Sequence, residues 1–453
     1  FYPLMQLIIR DLIYRSPLNR FVSFYSNASY TYDDKYVLSG SIRWDRSNLW
    51  GTNSKYQNKP LWSVGGSWNI YKEKFFQADF VDMLKLRASY GIGGNIGRNT
   101  APYLIASYYD SSLVDGMAGS VNTPPNKDIR WEKTTTVNVG VDFALFRHRL
   151  SGTIEYYNKY SVDLLAAING SPTQGFGYTT LMTNNGKMVN RGVEITLSGE
   201  IIRQKDFSWN ASLLYAFNRN KVKHISVQPS LWDSRISMPT SYPMVGKPLY
   251  GIYAYKWAGL NENGDPQVYD AENNVTSGPA RDYHALVYCG TTVPIHNASL
   301  TNVLRYKGFE FSAMLILDAG HKLRSSNIPS INMSNGRITS TAKGIVDRWT
   351  QPGDVTDVPR LLFSNDTENF NTHRTELYRY SDLFVYDASN IRLSNISLAY
   401  RVPAHWCKKI SLSGARLQFN VENVATFAFD SKANYDLGGK VKPNYVWGLY
   451  LNF

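Results

Sequence analysis

The residues that could do chemistry in this chain are few and scattered. Seven histidines show no paired spacing, and no Ser/His/Asp order is legible. Gly91, Gly93, Gly94 and Gly97 imitate a phosphate loop, but no helix follows them. The stretch Gly259 to Pro266 invites a calcium-loop reading, yet it lacks oxygen ligands at EF-hand spacing. Asn, Gly, Asp and Pro in that order spell a turn instead. Trp349 to Asp354 offers a single Asp after Pro-Gly, which is again a turn. Cys289 and Cys407 are far apart and form no metal spacing, and nothing else points to a disulfide between them. No catalytic residue, metal centre or cofactor site emerges, and an enzyme is not expected.

What remains is a chemistry of surfaces. The chain holds 32 Tyr, 20 Phe and 11 Trp. Aromatic rings stack on sugar faces and anchor protein interfaces. Tyr103, Tyr108 and Tyr109 form one group, Phe176 and Tyr178 a second, and Trp232 stands alone. Tyr108, Tyr109, Phe176, Tyr178 and Trp232 are the candidate contacts for a substrate or partner. Phe176 and Tyr178 fit an interfacial girdle equally well. Tyr253, Tyr255 and Trp257 follow Tyr250 at a spacing of two, so they read as strand residues of a membrane-interface girdle.

The elements that carry these residues are strands. From the end of the chain, Phe453, Leu451, Leu449, Trp447 and Tyr445 form one apolar face at period 2. Asn452, Tyr450, Gly448 and Val446 form the other. Such a strand fits either a soluble sandwich or a barrel whose outer face meets lipid. Longer runs favour the barrel. Leu84 to Ile92, Val137 to Leu145, Leu150 to Tyr156, Val193 to Ile201, Phe309 to Leu317 and Leu417 to Val421 all alternate. The longer runs reach roughly 9–13 residues, enough to cross a bilayer when tilted. Ile391 and Leu393 give way to Ile396 and Leu398, a phase slip that predicts a β-bulge.

Short turns at 146–149, 203–206 and 306–309 alternate with long stretches near 93–132, 161–190, 219–248, 259–297 and 319–388. That asymmetry is typical of outer-membrane barrels. The alternation predicts about fourteen antiparallel strands. No apolar run approaches the ~18 residues of a membrane helix. The net charge is +12, but Lys and Arg are scattered rather than clustered, so a nucleic-acid partner is not expected. A polar lumen and charged loops account for them, and a positive lumen favours anionic solutes.

Several stretches carry a family resemblance. Tyr30 to Leu38 with Arg43-Trp44-Asp45, Leu84 to Gly91 with Gly94-Asn95, and Asn126 to Lys133 come first. Asn185 to Glu194, Gly246 to Gly251 and Tyr306 to Glu310 follow. Arg348 to Asp354 leads to Val358-Pro359-Arg360, and Asp387 to Leu398 leads to Tyr400 and Pro403. In this order the chain resembles the C-terminal part of SusC/RagA-type TonB-dependent outer-membrane transporters of Bacteroidota. It departs where the family has Asp-Gly-Ser and this chain has Asp45-Arg46-Ser47.

The resemblance implies an all-β fold, an antiparallel transmembrane β-barrel present in part: about fourteen of about 22 strands, with the plug absent from this chain. Residues 1–17 read as an irregular stretch of a truncated chain, and 18–453 as the barrel portion. The implied function is import of glycans or oligopeptides across the cell outer membrane. The implied partners are a SusD/RagB-like surface lipoprotein, the TonB complex through the N-terminal region, and outer-membrane lipid. Tyr445, Trp447, Leu449, Leu451 and Phe453 are the expected assembly signal. A passive structural or secretion barrel, or an adhesin, is the alternative.

Overall fold

The computed structural model describes residues 20–49, 51–57, 59–97, 102–113, 116–170, 173, 180–229, 234–278, 282–333, 341–363, 372–438 and 442–453. Its frame is a single antiparallel sheet of thirteen strands. In chain order these are β1 (Phe21–Tyr32), β2 (Tyr36–Ser47), β3 (Leu61–Asn69), β4 (Val81–Asn95), β5 (Glu132–Leu145), β6 (Leu150–Asn169) and β7 (Thr180–Arg203). They continue as β8 (Phe207–His224), β9 (His296–Tyr306), β10 (Phe309–Ala319), β11 (Asn390–Arg401), β12 (Gly414–Ala428) and β13 (Asn444–Asn452). Each pairs with its neighbours in sequence, an up-and-down meander whose first and last strands each keep one edge unpaired among the described residues. The sheet is a partial barrel.

Register separates two faces. One row of partners runs Tyr30, Leu38, Gly66, Ala88, Val139, Tyr156, Val193, Phe217 across eight strands. The row one residue away runs Ser39, Gly65, Ser89, Asn138, Tyr157, Gly192, Asn218. A one-residue slip would exchange apolar for polar on every strand, so the pattern itself fixes the register. On the far side the apolar row continues as Trp209, Leu304, Phe311, Leu398, Phe419 and Trp447.

The apolar face is widely exposed: Leu38, Ile42, Val64, Leu86, Ile154, Leu398, Leu417 and Leu449 among others. In water a patch of this extent is a liability; in a bilayer it is the solvated surface. Aromatic contacts collect at the ends of the strands. At the short-turn end Tyr32 stacks on Tyr36, Tyr36 on Trp68, and Phe80 on Phe146, while Phe309 packs against Tyr400. Toward the other end Trp62 meets Tyr90, while Phe419 meets Trp447 in the part of β12 and β13 nearer the turns. Tyr36 and Trp44 lie on one face of β2. Eight residues at ~3.3 Å, on a strand tilted by roughly 40°, separate them by about 20 Å along the membrane normal. That is close to the height of an apolar band between two girdles.

The turns follow from local chemistry. Between β1 and β2, Asp33 and Asp34 take φ of 50° and 51°, and Lys35 N–H donates to Tyr32 C=O at 3.0 Å. This is a type I′ turn, where Asp tolerates the left-handed region. The phase slip after Leu393 is a bulge, with register shifts on both sides of β11. One expectation changes. The sequence suggested a loop over 161–190, but β6 continues to Asn169 and β7 begins at Thr180. A local bulge between Ser161 and Leu164 disguises the continuation by breaking the alternation. At 24 residues β7 far exceeds the ~9–11 that span a bilayer, so the β6–β7 hairpin stands well clear of the membrane.

Candidate functional site: lumen wall and folded loop cap

The polar face of the sheet is the lumen wall, and it is internally wired. Arg87 on β4 donates through Nε and Nη2 to Asp142 on β5 at 2.9 and 3.1 Å, and through Nη1 to Glu155 on β6 at 3.1 Å. Thr153 Oγ1 donates to the same Asp142 at 3.0 Å. Gly140 makes room: a Cβ there would lie 3.1 Å from Arg87 Nη2. Near the turn end, Glu310 accepts from Arg305 at 2.8 Å and from Arg416 at 3.0 Å. Near the loop end, Asp318 accepts from Asn297 at 2.7 Å and Arg392 at 3.2 Å. Such water-accessible pairs add little stability singly. Together they hold a row of fixed charges along the polar face of the sheet.

The two longest connections, spanning 225–295 and 320–389, fold together into a cap. Gly251–Tyr255 pairs with Leu286–Thr291, and Trp257–Leu260 with Pro266–Tyr269. Lys322–Arg324 pairs with Val385–Asp387. The cap has its own core of Tyr253, Tyr255, Val268, Leu286 and Leu377, joined by Ile331, Tyr378 and Phe384. The four residues Ile252 to Tyr255 are all buried. An apolar run without alternation is the mark of a strand covered on both faces.

Cations stitch the two connections. Asp265, in the Asn261–Asp265 turn, accepts from Arg360 at 3.0 and 2.7 Å and from Arg374 at 3.1 Å. Arg374 sits on helix α1 (Thr372–Arg379) with its side chain 2% exposed. It also donates to the carbonyls of Ile331 at 3.1 Å and Arg360 at 2.7 Å, and to Asn332 Oδ1. Burial pulls its pKa down, and Asp265 opposes that. Arg324 donates to the carbonyls of Tyr253, Arg379 and Ser381 at 2.6, 3.2 and 3.2 Å. Trp257 reaches Asp357 through Nε1 and Asp382 through its backbone N–H, both at 3.0 Å.

The Gly259–Pro266 stretch is the expected turn. Asn261 Oδ1 accepts from Asn263 and Asp265 N–H at 3.0 and 2.8 Å. Gly264 has φ +75°, and a Cβ there would lie 2.4 Å from Trp349. Asp354 likewise closes a turn, accepting from Thr350 and Gln351 N–H at 2.7 and 3.0 Å. A third connection joins the cap, since Asp436 accepts from Ser325 Oγ at 2.7 Å and Ser326 N–H at 2.9 Å.

Comparison with known proteins now has a frame to fit. A family model described as "TonB dependent receptor-like, beta-barrel" matches residues 8–424. The chain belongs to the TonB-dependent receptor β-barrel family. It is similar to TonB-dependent receptor P3 of Formosa agariphila, at 27% identity over 94% of this chain and 43% of that protein. It is similar to TonB-dependent receptor SusC of Bacteroides thetaiotaomicron, at 25% identity over 89% of this chain and 40% of that protein. Its fold matches the structure of the RagAB peptide transporter, with TM-score 0.78 and 23% identity over 96% of this chain and 48% of that one. The barrel is of the SusC/RagA type and resides in the outer membrane. The chain spans less than half the length of the curated relatives it matches.

In this receptor barrel the short-turn end faces the periplasm and the cap faces outward. Tyr445, Trp447, Leu449, Leu451 and Phe453 share the outer face of β13, all exposed, with Trp447 packed on Phe419 at 4.2 Å between centroids. Tyr108 and Tyr109 lie on a separate outer hairpin, Ile105–Ser111 with Gly116–Thr123, and are 71% and 53% exposed. Tyr103 is also exposed. Phe176, Tyr178 and Trp232 lie outside the described residues. Tyr253, Tyr255 and Trp257 correct the sequence reading. Their spacing of two does mark strands, but Tyr253 and Tyr255 are 1% and 0% exposed in the cap core and are no girdle. Cys289 lies in the cap and Cys407 in helix α2 (Ala404–Lys408) at the periplasmic end, and both are free. Burial pushes the Cys289 thiol up to about 11.

Sequence reasoning missed Asp265, Arg324, Arg360 and Arg374 as a set. They come from separate stretches with no shared spacing. The unbroken Ile252 to Tyr255 run was the one legible sign of a buried cap.

Proposed function

We propose that this chain forms the solute path of an energy-coupled importer that takes up glycans or oligopeptides. A SusD/RagB-like surface lipoprotein delivers the cargo onto the folded cap. The TonB complex acts through the part of the receptor that lies outside this chain. The observation that carries the reading is the pairing of a charged, hydrogen-bonded lumen wall with a separately folded outer cap. A purely structural barrel has no need of an internally cross-linked cap over a polar path. Tyr108 and Tyr109, exposed on a two-stranded hairpin that is marginal alone in water, are the proposed contact for the lipoprotein.

The test is uptake by cells. Labelled oligosaccharides and labelled oligopeptides are offered to the parent strain, to one lacking the full-length receptor, and to one lacking TonB. Energised uptake of one pool should vanish in both deletion strains. Uptake that persists without TonB would sink the reading and favour a passive barrel.

A further inference from the structure

On the lipid face, near the periplasmic ends of β1 to β4, lies a shallow recess of about 410 Å³. Tyr30, Tyr36, Leu38 and Trp68 wall it, Gly66 and Ala88 form its floor, and no charged side chain lines it. Leu38, Gly66 and Ala88 are partners in one row across β2, β3 and β4. A Cβ at Gly66 would meet only the Val37 carbonyl within 4 Å, at 3.7 Å. The packing of the chain itself therefore does not demand glycine at the floor.

The connection 70–80 folds over the periplasmic end of this recess. Phe75 packs on Trp68 with ring centroids 6.3 Å apart and stays 69% exposed. Glu73 accepts from Trp68 Nε1 at 3.0 Å and from the Tyr36 hydroxyl, with Lys35 Nζ 3.8 Å away, so this carboxylate is taken. The groups left open beside it are of both signs. Lys74 is exposed and makes no ion pair among the described residues. The side chains of Asp33 and Asp34 are 61% and 81% exposed, beside Lys35 at 2.7 Å and Lys72 at 3.7 Å. Lys35 holds the Asp33 carboxyl below its ordinary pKa, and Lys74 and Lys72 add to the effect, so these charges share one neighbourhood.

We propose that the recess seats an acyl chain of one zwitterionic phospholipid of the periplasmic leaflet, with its phosphate on Lys74 and its primary ammonium on Asp33 and Asp34. The recess is continuous with the lipid-facing surface, so its occupant is hydrocarbon. An apolar cavity of roughly 150 Å³ already takes a benzene, so several methylenes fit here. A purely anionic headgroup would gain Lys74 but meet two exposed carboxylates. A primary ammonium brings three N–H donors for those carboxylates. A quaternary ammonium brings none and favours a box of ring faces. Tyr32, Tyr36 and Trp68 build no such box, because they stack side by side with interplanar angles of 28° and 14°. This inference rests on the outer-membrane placement and is independent of what the receptor imports.

The experiment titrates the full-length receptor, purified in detergent, with dilauroyl phosphatidylethanolamine and counts retained lipid by native mass spectrometry. One molecule should be held roughly fivefold more tightly than dilauroyl phosphatidylglycerol or dilauroyl phosphatidylcholine. Gly66→Leu fills the recess and Lys74→Glu reverses the free cation. Each should weaken that retention by roughly fivefold, about what one or two methylenes returned to water would cost. Heat-modifiable migration in gels shows whether each barrel is assembled. If Gly66→Leu fails to assemble, Ala88→Leu fills the same space from β4. Equal retention of the three lipids, or retention of none, would leave only a generally solvated surface and overturn the proposal. Tighter retention of phosphatidylglycerol overturns it in favour of an anionic headgroup, and tighter retention of phosphatidylcholine removes the role of the ammonium donors. Unchanged retention in an assembled variant also overturns it.

Discussion

Leu449 is the middle of the five outward residues on β13, and it is 62% exposed. Its neighbour across the sheet is Leu417. Leu449→Arg places a charge on the lipid face and should cost about 2–4 kcal/mol if the residue sits near mid-bilayer, and less toward the interface. Refolding of the full-length barrel into lipid vesicles measures this, and an unchanged midpoint refutes the placement. Phe453 lies on the same register and is 92% exposed. Phe453→Asp should lower the amount of receptor in the outer membrane, scored by blotting membrane fractions. Equal abundance would mean that this face carries no assembly information.

His321 gives the cap a pH dependence. Burial lowers its pKa, while Asp318 and Asp387 pull the other way. Its Nδ1 is buried with no partner among the described residues. A folded pKa below the ordinary value of about 6.5 means that the unfolded segment binds the proton more readily. The stabilisation is therefore full above about pH 6.5 and is lost as the pH falls through the lowered value. Hydrogen exchange of 320–333 should quicken at acid pH, and His321→Asn should flatten that response. An identical profile in the variant would count against it.

At the scale of elements, the cap behaves as a unit because its two connections share charges and a core. Asp265→Asn removes a carboxylate that Arg360 and Arg374 share. Weakening the pairing of the buried Arg374 charge should cost about 3–5 kcal/mol. Exchange should speed up across 257–269 and 341–363 while the barrel melts at its usual temperature. Unaltered exchange would show that the packing of Tyr253, Tyr255 and Tyr378 suffices to hold the cap. The strands were the more legible elements. Long runs such as Val137 to Leu145 alternate because one face meets lipid and the other a wet lumen. The stretch 161–190 was not legible, because the bulge after Ser161 shifts the phase that the eye follows.

For the whole molecule, two features predict behaviour outside a membrane. The outer face is apolar over most of the sheet, and among the described residues β1 and β13 each keep one edge unpaired. Neither lipid nor water tolerates this arrangement indefinitely, because unpaired edges recruit other strands. Expressed alone in buffer without detergent, this chain should self-associate or precipitate. A soluble monomer by light scattering would put the membrane assignment in serious trouble.

The sequence by itself determined the barrel. Alternation at period 2 is written residue by residue, and each strand declares its lipid face locally. Turn chemistry is local as well, so the Asp33-Asp34 turn and the asymmetry of short and long connections could be read directly. Tertiary structure alone decided what the outer connections do. Tyr253 and Tyr255 show the same spacing as girdle residues, and only the fold reveals that they are covered on every side. Asp265, Arg360 and Arg374 meet across about a hundred residues. Leu164, Met188, Val222 and Pro243 line one cavity only because β6, β7, β8 and 240–249 converge. A lipid-facing strand is specified by its own neighbours in sequence, whereas a cap and a cavity are specified by residues that only folding brings together.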